Sequence, residues 1–255
     1  MVLSPLTTGI VNWLWGPRAA FLLLMALNLL GVIFLMLLLR SEPERQATPK
    51  SESRIGTRIE FLIFLLAMVF AGMIITGSTV ILPAYLELRT NGLFTAMESV
   101  WGPKPSSNLF ATAITALIYS VGMLGQFTGG VLGDRYQPIA SYLWFHLVCF
   151  FVALLMALAT ELPLVILANI YFFFLLGSQA MENTVFASLV PPHLRHSAFG
   201  LKYIVYFGAG ALAVKLVGWI DSGWGSAAIF VGLALVSALL IVSIWTVMFR
   251  MNKTV

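Results

Sequence analysis

Apolar residues in this chain are gathered into long runs instead of alternating with polar ones. Runs of membrane-crossing length fall near 19–39, 60–85, 109–132, 139–159, 163–185, 198–220 and 225–249. Each reads as a helix, because about twenty apolar residues in helical form span the hydrocarbon of a bilayer. The short alternating segments that would build a barrel do not occur in the pattern. The prediction is therefore an all-α, polytopic helical membrane protein with seven transmembrane helices. Polar interruptions are brief except for two. Segment 41–58, which holds Arg45, Lys50, Arg54 and Arg58 together with Pro43 and Pro49, reads as a solvated linker, and Leu86 to Ser107 reads as a long loop. The first run is too long for a signal-peptide core and no small-residue cleavage site follows it, so it is expected to stay, with Arg40 as its stop.

Composition reinforces this reading. Of 255 residues 60% are hydrophobic and 9% charged, with mean hydropathy +0.97, whereas a soluble domain carries about 25% charged residues. The lipid bilayer is the first expected partner. The net charge of +4 sits mostly in loops, so it reports orientation and does not point to nucleic acid. If the linker is cytoplasmic, that side holds ten Lys and Arg residues, against Arg18, Arg89 and Lys104 outside, with Lys215 inside a span. The bias places the N-terminus outside and the C-terminus in the cytoplasm of a plasma membrane. Cys149 is the only cysteine. With His146 on the same face it does not make a metal site, no cofactor is expected, and no nucleophile–base set points to an enzyme.

Polar residues within the spans are the places to look for chemistry, since hydrocarbon offers them no partner. In the third span Thr112, Thr115, Tyr119, Gly122, Gln126 and Gly129 share one helical face. Gly122, Gln126 and Gly129 read as helix–helix packing, and Tyr119, near mid-depth, as a substrate-cavity residue. Thr76 and Thr79, followed by Pro83, suggest a bent cavity helix. Asn169 in the fifth span is a further cavity residue, with Asn183 about 40° away on the helical wheel. Glu182 has two readings: a proton-coupling carboxylate, or a cytoplasmic latch paired with Arg135 or Arg195. Lys215 is close enough to the outer surface to snorkel. Trp15-Gly16 and Trp224-Gly225 each precede a phenylalanine, Phe21 and Phe230, by the same interval at an outer helix start. That echo suits a protein built from repeated halves.

Two loops carry a resemblance. In Gly129-Gly130-Val131-Leu132-Gly133-Asp134-Arg135-Tyr136-Gln137-Pro138, the glycines let backbones approach, while Asp134 can cap or pair and Arg135 can reach phosphates or close an ion pair. Gly130-x-x-x-Asp134-Arg135 resembles the cytoplasmic loop signature of major facilitator superfamily transporters, although Tyr136-Gln137-Pro138 departs from its usual continuation. Asp134-Arg135-Tyr136 also resembles the tripeptide after the third helix of G-protein-coupled receptors. The loop Pro191-Pro192-His193-Leu194-Arg195-His196-Ser197-Ala198-Phe199-Gly200 then resembles the transporter family's Pro-x-x-Arg-x-x-Ala-x-Gly element. The receptor reading weakens, since the last span lacks Asn-Pro-x-x-Tyr. A retinal protein would need its lysine in the last span, but Lys215 lies in the sixth.

The transporter resemblance implies that 1–40 ends an N-terminal half with one helix, residues Val2 to Trp13 being the tail of the helix before it. It makes 41–58 the cytoplasmic linker and 59–255 the C-terminal six-helix bundle. It also implies secondary active transport of a small molecule by alternating access. Gly130, Asp134, Arg135, Arg195 and Glu182 would govern the conformational change. The missing wall would come from an absent N-terminal half or from a homodimer, and the chain would then be a half transporter. A non-transporting partner subunit is the alternative.

Overall fold

The computed structural model describes residues 3–39, 57–101 and 106–253. The linker expected at 41–58 lies outside these residues except for its last two. The described residues form α1 (Leu3–Trp15), α2 (Pro17–Leu39), α3 (Arg58–Arg89), α4 (Asn91–Trp101), α5 (Ser107–Arg135), α6 (Pro138–Leu158), α7 (Glu161–Leu189), α8 (Arg195–Trp224) and α9 (Ser226–Lys253), with a 3-10 turn at Pro192–Leu194. Seven of the helices are long and apolar enough to cross a membrane. They match the seven predicted runs and extend past most of their ends, because the helices continue into polar residues at the boundaries.

The ends are set by local chemistry. Thr57 and Glu60 form a capping box at the start of α3: the Glu60 carboxylate accepts from Thr57 N at 2.7 Å and the Thr57 hydroxyl accepts from Glu60 N at 3.3 Å. Ser106 caps α5 through Leu109 N. Gly16 and Gly225, the glycines of the two Trp-Gly pairs, both break helices at positive φ, +82° and +79°, a conformation that glycine alone adopts without strain. The sequence echo is thus a repeated corner.

The predicted loop between 86 and 107 contains a helix, α4. Its eleven residues are too few to stand alone in water. The carboxylate of Glu161, at the start of α7, accepts hydrogen bonds from the first backbone N–H groups of α4, Gly92 N at 2.9 Å and Leu93 N at 2.7 Å. That partner is 68 residues or more away in sequence, so no local pattern announces it. Residues Val2 to Trp13, expected as the tail of a helix, fall largely in α1.

α3 is the central rod, packed along α8 and α9 and touching α5 and α7. α5 runs along α7, α6 joins α7 to α9, and α1 rests on α5 while pairing with α2. The core between them holds Phe64, Met68, Tyr85, Phe172, Phe186 and Phe230. α2 buries none of its most apolar stretch.

Close helix approach depends on glycine. A Cβ on Gly125 would overlap the carbonyl oxygen of Phe173, and one on Gly129 that of Gly177. Gly72 meets the Tyr206 carbonyl of α8 in the same way. One expectation is corrected here. The paired glycines do not bring the helices flanking their loop together: Gly129 packs on α7, and nothing lies within 4 Å of a Cβ on Gly130. The backbone contact on the α7 side needs only one of the two.

Gly125→Leu or Gly129→Leu should each lower the thermal stability of the detergent-purified protein by about 1–3 kcal/mol through overpacking. Gly130→Ala should stay within about 0.5 kcal/mol of the unaltered chain. Thermal unfolding followed by tryptophan fluorescence reads both effects.

Candidate functional site

Polar side chains meet at one level of the bundle. Glu182 on α7 and Lys202 on α8 form an ion pair, Oε1 to Nζ 2.6 Å, with side chains 3% and 2% exposed. The turn between these helices puts the two at one depth: Glu182 lies seven residues before Leu189, where α7 ends, and Lys202 seven after Arg195, where α8 begins. Lys202 Nζ also donates to Asn183 Oδ1 at 2.5 Å. It sits 5.6 to 5.7 Å from the ring centres of Phe186, Phe199 and Tyr203, whose faces attract a cation. The other carboxylate oxygen, Glu182 Oε2, accepts from the Tyr142 hydroxyl of α6 at 3.2 Å. The pair as a whole is therefore held by groups from three helices, α6, α7 and α8, as a low-dielectric interior requires.

The polar set continues on both sides. Gln126 of α5 donates to Gln179 of α7 at 2.9 Å, and Gln179 reaches the Tyr206 hydroxyl of α8 at 3.5 Å. On the other side His146 is fully buried and stands edge-on to Tyr142, ring centres 4.7 Å apart. Neither of its ring nitrogens has a hydrogen-bond partner.

The sequence reading of Glu182 as a latch to Arg135 or Arg195 is corrected: its cation is Lys202. The sequence had placed Lys202 with the cytoplasmic basic residues, whereas α8 carries it two turns inside the helix, where it is buried. Equal distance from the α7–α8 turn is the signal that would have found it. Arg195 instead begins α8, and Asp134 and Arg135 are exposed at the end of α5.

The expected cavity residues fall within or beside helix contacts. Thr76 packs against Gly210 of α8, where a Cβ would overlap its hydroxyl. Pro83 has no N–H, so the carbonyl of Thr79 loses its helical donor. The Tyr119 hydroxyl takes that place, donating to Thr79 O at 2.8 Å. Tyr119 thus restores the hydrogen bond that Pro83 removes from α3, and Tyr119 is 7% exposed. Asn169 donates to Val165 O of its own helix. None of the four lines either of two recesses of about 330 and 700 Å³. The smaller lies among α1, α2 and α5 with Asn12, Asn108 and Thr112 on its wall. The larger lies among α3, α7 and α8 with Arg58, Phe61 and Leu201. Lys215 is exposed on α8.

The Major Facilitator Superfamily sequence model matches residues 1–214. A comparison with curated proteins gives no match.

Removing one member of the buried pair leaves the other charge uncompensated, so Lys202→Met or Glu182→Gln alone should cost about 3–5 kcal/mol. The double variant should recover most of that loss. A double-mutant cycle in thermal stability measures the coupling, and additive single effects would contradict the pairing.

Proposed function

The chain belongs to the major facilitator superfamily, a family of transporters, and from that premise we propose that it is a secondary active transporter moving a small molecule by alternating access. The observation that carries this reading is the Glu182–Lys202 pair inside membrane-spanning helices. Ionisable groups at such depth are costly and mark moving or conducting elements. The pair joins α7 to α8, and Gln126–Gln179–Tyr206 ties α5 to both.

In this reading 59–255 is one rocking bundle, 1–40 brings the last helix of the facing half, and 41–58 is the linker. The bias of Lys and Arg supports an outer N-terminus and a cytoplasmic C-terminus. Gly130, Asp134, Arg135 and Arg195 then lie at cytoplasmic helix ends, where Asp134 and Arg135 are exposed and able to engage a facing bundle during closure. Thr76, Thr79, Tyr119 and Asn169 act on the path through the shape of α3 and α7 and not as an open binding wall. α2, with its most apolar stretch unburied, supports a facing bundle, drawn from an N-terminal half or a second copy. The same bare helix also suits the alternative of a non-transporting partner subunit.

Liposomes carrying this chain alone and liposomes carrying it with a facing bundle separate the two. Concentrative uptake only in the second supports the proposal, uptake by the lone chain removes the need for a partner, and no uptake in either favours the subunit reading. In the active assembly Asp134→Asn should slow turnover about tenfold, equivalent to about 1.4 kcal/mol, with membrane insertion unchanged. Unaltered turnover would count against the gating role.

A further inference from the structure

We propose that the larger recess, among α3, α7 and α8, binds an anionic phospholipid, with the phosphate at Arg58 and an acyl chain along the apolar walls. The inference does not rest on the carrier reading. It needs only that these helices cross a bilayer.

Three helix ends meet at this place: α3 starts at Arg58, α7 ends at Leu189 and α8 starts at Arg195. The recess, about 700 Å³ in volume, therefore lies at the depth where the spans leave the hydrocarbon. Its lining changes character along the helices. On α3, Thr57 and Arg58 come first, and Phe61 and Leu62 follow about one turn inward. On α8, Ser197 precedes Leu201 by a similar step. A polar edge above an apolar wall matches the order of a phospholipid, headgroup and then chain.

Charge decides which phospholipid. Among the described residues that line the recess none is acidic. The nearest acid along α3, Glu60, is 3% exposed, and its carboxylate is engaged by Thr57 N at 2.7 Å. Arg58 is exposed at the mouth. Arg195 adds a second guanidinium at the start of α8, and both α3 and α8 point their N-termini here, where the helix dipole favours an anion. Basic pockets between membrane helices at this level suit anionic headgroups. The walls need a cover as well: Leu62 is 60% exposed and Leu201 43%. Free phosphate would answer Arg58 and leave these walls bare. A zwitterionic lipid would cover them but bring a cation to a cationic rim. The two helices outside the bundle, α1 and α2, carry no acidic residue that could answer Arg58 in its place.

The test uses the full chain in neutral detergent, offered dioleoyl phosphatidylglycerol and dioleoyl phosphatidylcholine in equal amounts, with bound lipid counted by native mass spectrometry. The chain should retain phosphatidylglycerol in preference to phosphatidylcholine, and phosphatidylglycerol should raise its unfolding temperature more. Arg58→Gln should weaken the preference about fivefold, and Arg58→Lys, which keeps the charge, should preserve most of it. Leu201→Gln, which makes the wall polar, should weaken retention of phosphatidylglycerol. Arg18→Gln, exposed at the opposite membrane face, should change neither. Glycerol phosphate in excess, charged but without chains, should not displace the lipid. Equal retention of the two lipids or an unchanged preference in Arg58→Gln would overturn the proposal. Displacement by glycerol phosphate would do the same, reducing the recess to a site for free anions. None of these readouts involves substrate, so failure of uptake in liposomes is a separate result.

Discussion

Hydrocarbon supplies no hydrogen-bond partner, and that constraint explains most of what is specific about this bundle. Several polar groups that a helix irregularity or a side chain introduces are met by a group from another helix. The carbonyl of Thr79, freed by Pro83, takes the Tyr119 hydroxyl. The last carbonyls of α6, those of Met156 and Ala157, take Tyr85 and Arg89 of α3. Ser78 and Tyr171 share one hydrogen bond between α3 and α7. Glu182 and Lys202 are the extreme case, two full charges that only each other and a ring of polar and aromatic neighbours make tolerable.

These interactions depend on backbone proximity, which glycine provides. Without Gly125 and Gly129 on α5 and Gly177 on α7, these two helices would stand farther apart. The Gln126–Gln179 bond between them needs that closeness. Gly72 and Gly210 do the same for α3 and α8, and so fix the α8 face that carries Lys202. Van der Waals packing of small residues, with little hydrophobic drive between lipid-bathed helices, is thus what places the ion pair. The structure joins three levels here: glycine spacing, helix distance and an intramembrane charge site.

Helices were legible because apolar length is a strong signal, and each predicted run has its helix. α4 was not legible, since its first turn is held by Glu161 from a distant corner. Glu161 itself sits at φ +55°, a conformation no propensity would assign to it. The candidate site was half legible. Glu182 stood out as an acid within a span, and Gln126 as a packing residue, but Lys202 looked like one more loop cation because charge counting ignores depth. Tyr119 and Asn169 stand out for polarity near mid-membrane, Thr76 and Thr79 for their place before Pro83 in α3. Polarity alone cannot tell a cavity wall from a partner for a carbonyl that proline leaves free.

The most direct measurement is disulfide formation between cysteines placed at the positions of Glu182 and Lys202, in a Cys149→Ala chain held in lipid. The account predicts rapid, high-yield cross-linking of Glu182→Cys with Lys202→Cys, and little with Arg135→Cys or Arg195→Cys. Preferential cross-linking of the Glu182 position to that of Arg135 or Arg195 would contradict it.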